Sequence, residues 1–312
     1  MTRSTHSMSA NYMIGTGWWC ADAEPPTPGR RYIGSDVIRS AAFHHLWSAA
    51  LDHYTRAQAV FIVDSASKQK PPITNPSYRM MSLLRNPGHA QVHTGHYGGW
   101  MASVIHSLEY ALSNDADYLV YVEQDALLFG DGIIEHCIGK MRKPLMFGNG
   151  AGTPQPIQQS FFIVRNDGMR AFLAGLHAVR KQDKVICPEW KFVLASLPWS
   201  GRPLEFLLVH ERFRALLYRA LGSMLQSIGF DLLPIGLGRV RPIDFDAPHC
   251  YFQHGDVDEV REYARRVEPA IMDRVRKHAP ALAEFLLQPP AEPQQSLFHP
   301  EPAAGAAARV RR

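Results

Sequence analysis

The sequence predicts an α/β fold, with a mostly parallel central sheet flanked by helices and a more irregular, helix-rich C-terminal half. Two observations predict it. Short apolar runs such as Ala59–Asp64 (AVFIVD) alternate with longer segments in which apolar residues recur every three or four positions. Acidic residues stand at the ends of these runs or just after them. Strands that alternate with helices of this length are typical of βαβ units, whose parallel sheets are covered on both faces.

The first half of the chain is predicted to contain four strands and two helices. Ser35 and Asp36 are suitable caps for the first helix, and a loop rich in Gly and His precedes the second. In order, the predicted elements are a strand over Asn11–Trp19, a helix from Ser35 or Asp36 to Tyr54, strands over Ala59–Asp64 and Arg79–Leu84, a helix over Trp100–Leu112 and a strand over Tyr118–Val122.

The second half is predicted to be richer in helices. Strands over Pro144–Gly150 and Gln158–Arg165 are expected to pair antiparallel, and helices are expected over Asp167–Arg180, Pro188–Leu197, Glu205–Ile228 and Val257–Leu287. The helix over residues 205–228 carries an apolar stripe and several arginines. Such a helix either packs on the body with a solvated basic face or lies on an anionic membrane surface, so peripheral membrane contact stays open.

Composition and charge restrict the class of protein. The net charge is +4, and Arg309, Arg311 and Arg312 contribute part of it, so the folded body is nearly balanced and bulk electrostatic binding of nucleic acid is not expected. The four cysteines are widely spaced without a CxxC pair, which is typical of a reduced compartment. The chain also has no apolar run of roughly 18 residues. We therefore expect a cytoplasmic protein without a transmembrane segment.

Two acids stand in an unusual place in the stretch YLVYVEQDALLFG over residues 118–130. Glu123 and Asp125 directly follow the strand, two positions apart, so their side chains are expected to point to the same side, with Gln124 as a spacer. They are either solvated acids at a frayed strand end or ligands of a divalent cation. Because apolar residues resume at once, and because ligands bind at the carboxyl ends of parallel strands, the cation site is favoured.

The span from Asn86 to Leu128 resembles nucleotide-sugar glycosyltransferases of the GT-A fold. In that family a loop and a helix lead to a strand that ends in an Asp-x-Asp metal motif, and here Glu123-Gln124-Asp125 stands at that place. Glu replaces the first Asp of the motif. The resemblance implies that Glu123 and Asp125 bind Mn²⁺ or Mg²⁺, that the donor is a UDP- or GDP-sugar, and that the acceptor is a hydroxyl of a glycan or similar molecule. Bacterial surface glycan or glycoconjugate synthesis is one setting that it suggests.

The resemblance also assigns residues to the nucleotide. Asp64 ends the predicted second strand and corresponds to the acid that recognises the nucleotide, whereas Thr16 and Gly17 would lie under the base and ribose. It implies a single domain over residues 11–287, with a nucleotide-binding half (11–130) and an acceptor-side half with C-terminal helices (131–287). Residues 1–10 and 288–312 are expected to be disordered, the latter because of its Pro-, Ala- and Gln-rich composition.

Further candidates come from the second half. The resemblance implies that Glu189, in the first turn of a helix, is the catalytic base, although the helix dipole alone can account for an acid there. His254, which ends an aromatic strand before a Gly, is preferred over His249 as the third metal ligand. Arg241, with Arg239, is a candidate for charge-assisted hydrogen bonds to the diphosphate.

Other interpretations remain open at this level. His89, His93 and His96 have a spacing that could supply zinc ligands on a helix, but the surrounding Gly and Pro residues indicate a loop. A metal-dependent nucleotidyltransferase is an alternative, although the basic residues that it requires come late, at Arg30 and Arg31. A nucleotide-sugar-binding protein without catalytic activity is another.

Overall fold

The computed structural model of the chain describes residues 10–20, 22, 33–93, 95–153, 155–197, 202–210, 213, 229–236 and 238–288. The disorder predicted for the two termini falls almost entirely outside the described residues. Most of the basic helix predicted over residues 205–228 also lies outside the described residues. Only residues 205–210 and 213 of it are described.

The described strands form two sheets. The strands are β1 (Tyr12–Trp18), β2 (Ala59–Asp64), β3 (Tyr78–Ser82), β4 (Tyr118–Val122), β5 (Ala126–Phe129), β6 (Leu145–Asn149), β7 (Ile157–Arg165), β8 (Asp231–Leu232) and β9 (Cys250–Gln253). The larger sheet has the order β3-β2-β1-β4-β7-β6-β8, and β5 pairs with β9 in a small second sheet. In the larger sheet β3, β2, β1 and β4 are parallel and β7 is antiparallel to both of its neighbours.

Helices cover the larger sheet, which confirms the predicted α/β class. They are α1 (Ala41–Tyr54), α2 (Gly99–Ser113), α3 (Ile133–Lys140), α4 (Asn166–Ala178), α5 (Pro188–Ala195), α6 (Arg202–Leu208), α7 (Val257–Arg266), α8 (Pro269–His278) and α9 (Pro280–Leu287). The helical segment predicted over residues 257–287 is confirmed, and it consists of three helices. A proline begins each of α8 and α9, since proline fits the first turn of a helix and disrupts its interior.

The first predicted helix is also divided. A short 3₁₀ helix over Asp36–Arg39 precedes α1, and Ser40 between them is extended, with φ −82° and ψ 155°. The Ser40 hydroxyl accepts a hydrogen bond from the backbone N–H of Phe43 and so caps α1, while Ser35 caps the 3₁₀ segment. Two consecutive caps therefore begin two short elements where the apolar spacing alone predicted one.

Two glycines of β1 let a helix approach the sheet closely. A Cβ added at Gly15 would lie 2.5 Å from Ser107 Oγ, and one added at Gly17 would lie 2.7 Å from Ser103 Oγ. Both serines belong to α2. The Gly-x-Gly pattern in β1 is thus accounted for by helix–sheet packing.

The strand order places a crevice between β1 and β4. The chain proceeds from β1 to β2 and β3 in one direction, and β4 lies on the other side of β1. In open sheets with this reversal, ligands bind at the carboxyl ends of the two strands where the order changes. The Glu123–Asp125 turn follows β4 directly and therefore lies at this point.

Candidate active site

The turn that carries the two acids is held by its backbone. The N–H of Glu123 donates to the carbonyl of Ser160 at 2.8 Å. The carbonyl of Glu123 accepts from Trp47 Nε1 at 3.0 Å and from the N–H of Ala126 at 3.0 Å. The turn is thus fixed from β7 and from α1, so the positions from which the carboxyl groups of Glu123 and Asp125 extend are set before any ligand binds.

The two carboxyl groups have opposite pKa shifts. Burial and the charge of Asp125 hold the pKa of Glu123 well above its ordinary range. Burial would also raise the pKa of Asp125, but the charge of His254 and its hydrogen bond outweigh burial and lower that pKa. Like charges this close favour one ionised and one protonated group. Asp125 is therefore the carboxylate of the pair and Glu123 the acid.

His254 reaches Asp125 because of strand pairing. In the antiparallel β5–β9 pair Ala126 lies opposite Gln253, which brings the residues just outside the pair together. His254 Nδ1 lies 2.9 Å from Asp125 Oδ2, and His254 Nε2 lies 2.8 Å from Gln253 Nε2. The same Gln253 amide donates to Glu123 Oε2 at 3.1 Å. This arrangement makes Nδ1 the donor to the carboxylate and leaves Nε2 as an acceptor.

The acid pair is suited to a hard divalent cation in part. Carboxylate oxygens are the ligands that Mg²⁺ and Mn²⁺ prefer, and a bound cation would offset the charge repulsion that disfavours ionisation of Glu123 beside Asp125. Within the described ranges, however, no group of three or more His, Cys, Asp or Glu side chains is arranged to hold a metal ion. His254 and Asp125 are hydrogen-bonded to each other. The metal role of Glu123, Asp125 and His254 stays a prediction.

The two predicted arginines differ in their surroundings. Arg241 forms an ion pair with Glu259 of α7 and donates to the carbonyls of Gly238 and Gln253, each at 3.1 Å. Arg239 instead lies near the acid pair, where its positive charge favours the ionised carboxyl groups. Its buried Nε has no hydrogen-bond acceptor among the residues that the structure describes. The diphosphate contact predicted for Arg241 stays a prediction, and Arg239 is the better placed of the two.

Arg39 is a residue of this site that the sequence did not indicate. Its side chain is buried, and it donates to the carbonyls of Ser35 and Ile33. Its charge also favours the ionised form of Asp125. Arg39 lies within an apparently helical run, so no local signal separated it from an ordinary surface arginine.

Glu189 lies close enough to the acid pair for its charge to act on Glu123. It lies in the first turn of α5, which begins at Pro188, and it is 6% exposed. Its negative charge adds to the causes that raise the pKa of Glu123, after burial and the charge of Asp125. The structure therefore brings the predicted base into the neighbourhood of the predicted metal ligands.

The residues assigned to the nucleotide are engaged within the fold. Asp64 is fully buried, accepts the N–H of Ser67 at 3.0 Å and forms an ion pair with Lys70. Thr16 is 1% exposed, and Gly17 faces α2. The nucleotide contacts of Asp64, Thr16 and Gly17 stay predictions. In this structure the burial of Asp64 and Thr16 leaves these two residues little surface for a ligand.

The interpretation of Gln124 as a spacer is wrong. Its Oε1 accepts the N–H of Trp19 at 2.6 Å, and its Nε2 donates to the carbonyl of Trp19 at 2.7 Å. The side chain therefore links the turn after β4 to the end of β1.

The loop with three histidines is anchored by its central one. His93 is 2% exposed, and burial lowers its pKa. Its Nδ1 lies 3.0 Å from the carbonyl of Gly95 and its Nε2 accepts the N–H of Lys184 at 3.0 Å. At the end of the loop the N–H of Gly98 donates to Asp183 at 2.5 Å. His93 Nδ1 thus fixes the loop internally, whereas Nε2 attaches it to the segment before α5.

No protein-family model matches the chain, and no curated protein sequence matches it. Among solved structures, an active-site mutant of the glycosyltransferase LgtC aligns at 10% identity with a TM-score of 0.31, covering 50% of this chain and 57% of that chain. A cytidylyltransferase from Leptospira borgpetersenii serovar Hardjo-bovis aligns at 10% identity with a TM-score of 0.36, covering 91% of this chain and 100% of that one. Similarities this weak do not transfer a function. In the described part of the chain, no helix is both long and apolar enough to cross a membrane.

Proposed function

We propose that this protein is a metal-dependent glycosyltransferase that moves a sugar from a UDP- or GDP-sugar to an acceptor hydroxyl. The observation that supports the proposal most directly is the partly buried acid pair of Glu123 and Asp125 at the carboxyl end of β4. It lies where the strand order reverses, which is where ligands bind in sheets of this kind. The resemblance of the Asn86–Leu128 span to GT-A glycosyltransferases assigns the same two residues.

Asp125 and Glu123 would hold the cation, and His254 is oriented by Asp125 and Gln253 beside them. When bound, the cation supplies charge compensation for the diphosphate leaving group. Arg239 is placed to bind the same anionic group, since its charge reaches both carboxyl groups and its Nε has no acceptor within the described structure.

Glu189 would accept the proton of the acceptor hydroxyl as its oxygen attacks the anomeric carbon. A general base must lie within hydrogen-bond reach of that hydroxyl, and the electrostatic effect of Glu189 on Glu123 supports its position near the donor sugar. An ion pair anchors α5 near this turn. Lys191 Nζ lies 2.6 Å from Asp183 Oδ1, and both side chains are fully buried. A base on this side of the sugar predicts inversion at the anomeric carbon.

Ligand-dependent thermal stability tests the proposal. Wild-type protein is heated with UDP-, GDP- and CMP-sugars, with and without Mn²⁺, beside Asp125→Asn. Asp117→Asn is the matched control, because Asp117 is an exposed acid at the opposite end of β4. A ligand at 100 times its Kd stabilises a protein by about 2.7 kcal/mol. We expect stabilisation by one nucleotide sugar that requires Mn²⁺ and is lost in Asp125→Asn alone.

Other outcomes would identify the alternatives. Stabilisation by a nucleoside triphosphate with release of pyrophosphate would replace the proposal with a nucleotidyltransferase. Binding of a nucleotide sugar without hydrolysis or transfer to any hydroxyl acceptor would indicate a binding protein. Equal Mn²⁺-dependent transfer by wild type and Asp125→Asn would rule out the acid pair as the cation site.

A further inference from the structure

The ends of β1 and β4 separate at the candidate site. The parallel ladder between them pairs Tyr12 through Gly15 with Tyr118 through Tyr121. β1 then continues to Trp18, whereas β4 ends and turns into the acid pair. The backbone ladder therefore does not determine how far the turn stands from the loop that follows β1.

The side chain of Gln124 makes the connection that the ladder lacks. Its amide group pairs with the backbone of Trp19 through one accepted and one donated hydrogen bond, at 2.6 and 2.7 Å. Two bonds in one plane fix distance and orientation together, whereas a single bond leaves rotation free. The side-chain amide of Gln124 thus takes the place of a backbone peptide group. It connects the chain after β4 to Trp19, beyond the last backbone pair of the ladder.

This link acts on the residues on both sides of it. Other contacts hold the backbone of Glu123 through Ser160, Trp47 and Ala126. Gln253 and His254 contact the two carboxyl groups themselves. Gln124 lies between the two acids, so any rotation of its backbone changes the direction of both carboxyl groups. Without the bonds to Trp19, the turn is still held at Glu123 and at Ala126, which pairs with Gln253, but residue 124 between them loses its side-chain anchor.

We propose that Gln124 is a positioning residue of the cation site, whose paired hydrogen bonds to Trp19 set the relative orientation of the Glu123 and Asp125 carboxyl groups. The inference rests on the proposed function, because it requires these two acids to bind a divalent cation. Loss of a partner that orients metal ligands typically weakens metal affinity by about 10- to 100-fold.

Binding of Mn²⁺ alone tests it, measured as the fall in the electron paramagnetic resonance signal of free Mn²⁺. Gln124→Met keeps the length of the side chain and removes both bonds. Gln58→Met makes the same change at an exposed glutamine at the opposite end of the sheet, beside the start of β2. We expect at least about tenfold weaker Mn²⁺ binding in Gln124→Met and wild-type binding in Gln58→Met. Without metal both variants should unfold cooperatively, with a lower melting temperature in Gln124→Met because the Trp19 backbone loses two hydrogen bonds.

A second variant and a second measurement separate positioning from simple loss of structure. Gln124→Asn keeps the amide but is one methylene shorter, so it cannot make both bonds and is expected to weaken binding as well. Hydrogen exchange of the Trp19 amide reports whether its hydrogen bond to Gln124 is present in the wild type. We expect this exchange to be faster in Gln124→Met and in Gln124→Asn. Faster exchange with wild-type Mn²⁺ affinity in either variant would overturn the inference alone. Absence of Mn²⁺ binding in the wild type would overturn the cation site and this inference together.

Discussion

The imidazole of His44 gives the fold a defined sensitivity to acid. The ring lies 5.2 Å from the Trp47 ring in a stacked arrangement and 5.2 Å from the Trp18 ring edge-on. It is 2% exposed, and neither nitrogen has a hydrogen-bond partner in the described structure. Burial, with a smaller contribution from the charge of His45, lowers the pKa of His44 from 6.5 to about 3.

The direction and size of the effect follow from proton linkage. Because the pKa is lower in the folded state, the unfolded chain binds the proton first as the pH falls. The part of the free energy of unfolding that depends on neutral His44 is fully present above pH 6.5 and is lost as the pH falls towards 3. At about 1.4 kcal/mol per pKa unit the loss reaches about 5 kcal/mol at its limit, and about 2 kcal/mol of it falls between pH 8 and pH 5.

His44→Phe tests this reasoning. Phenylalanine keeps an aromatic ring between Trp18 and Trp47 and removes two unpaired polar nitrogens, so the free energy of unfolding at pH 8 should be unchanged or higher. Urea unfolding at pH 8, 7, 6 and 5 should show a loss between pH 8 and pH 5 that is about 2 kcal/mol smaller in the variant than in the wild type. Taking the difference cancels the other titrating groups.

The control is His96→Phe, a change at an exposed histidine, which should leave the pH dependence of the wild type unaltered. The reasoning is refuted if wild type and His44→Phe lose the same free energy between pH 8 and pH 5.

Three further predictions follow from particular contacts. Lys191→Met leaves the buried carboxylate of Asp183 without its ion-pair partner and should lower the free energy of unfolding in urea by about 3 to 5 kcal/mol. Adding Asp183→Asn should recover part of this loss. Absence of any recovery would contradict the role of the ion pair. Gly15→Ala places a Cβ 2.5 Å from Ser107 Oγ and should lower stability by about 1 to 3 kcal/mol, a loss that Ser107→Gly added to it should relieve. Glu189→Gln should reduce the turnover number by about 10²- to 10⁴-fold with unchanged donor affinity; wild-type turnover would exclude Glu189 as the base and leave a retaining reaction open.

The elements that the sequence predicted best are those whose burial is uniform. β2 and β4 begin and end at the predicted residues, because each is a continuous apolar run buried on both faces and ended by an acid or a polar turn. The antiparallel pairing of β6 and β7 was also expected and is confirmed. Such runs depend mainly on local composition, which a sequence displays directly.

Elements whose boundaries depend on distant contacts were predicted less well. β5 was read only as an apolar segment, since four residues cannot be assigned to a strand without the partner β9. The division of the helix at Ser40 was missed because apolar spacing does not show an extended residue whose hydroxyl caps a new helix.

The local pattern was enough to show that the acids follow the carboxyl end of a buried strand, because an apolar run that ends in polar residues is visible in the sequence. Only the tertiary structure decided what the acids contact. His254 lies 129 positions from Asp125, and the Trp19 backbone lies 105 positions from Gln124. Contacts at such separations arise from strand order and register, which short motifs do not encode. The roles of Gln124 and Arg39 came from the fold for this reason, whereas Glu123, Asp125 and Glu189 could be named beforehand.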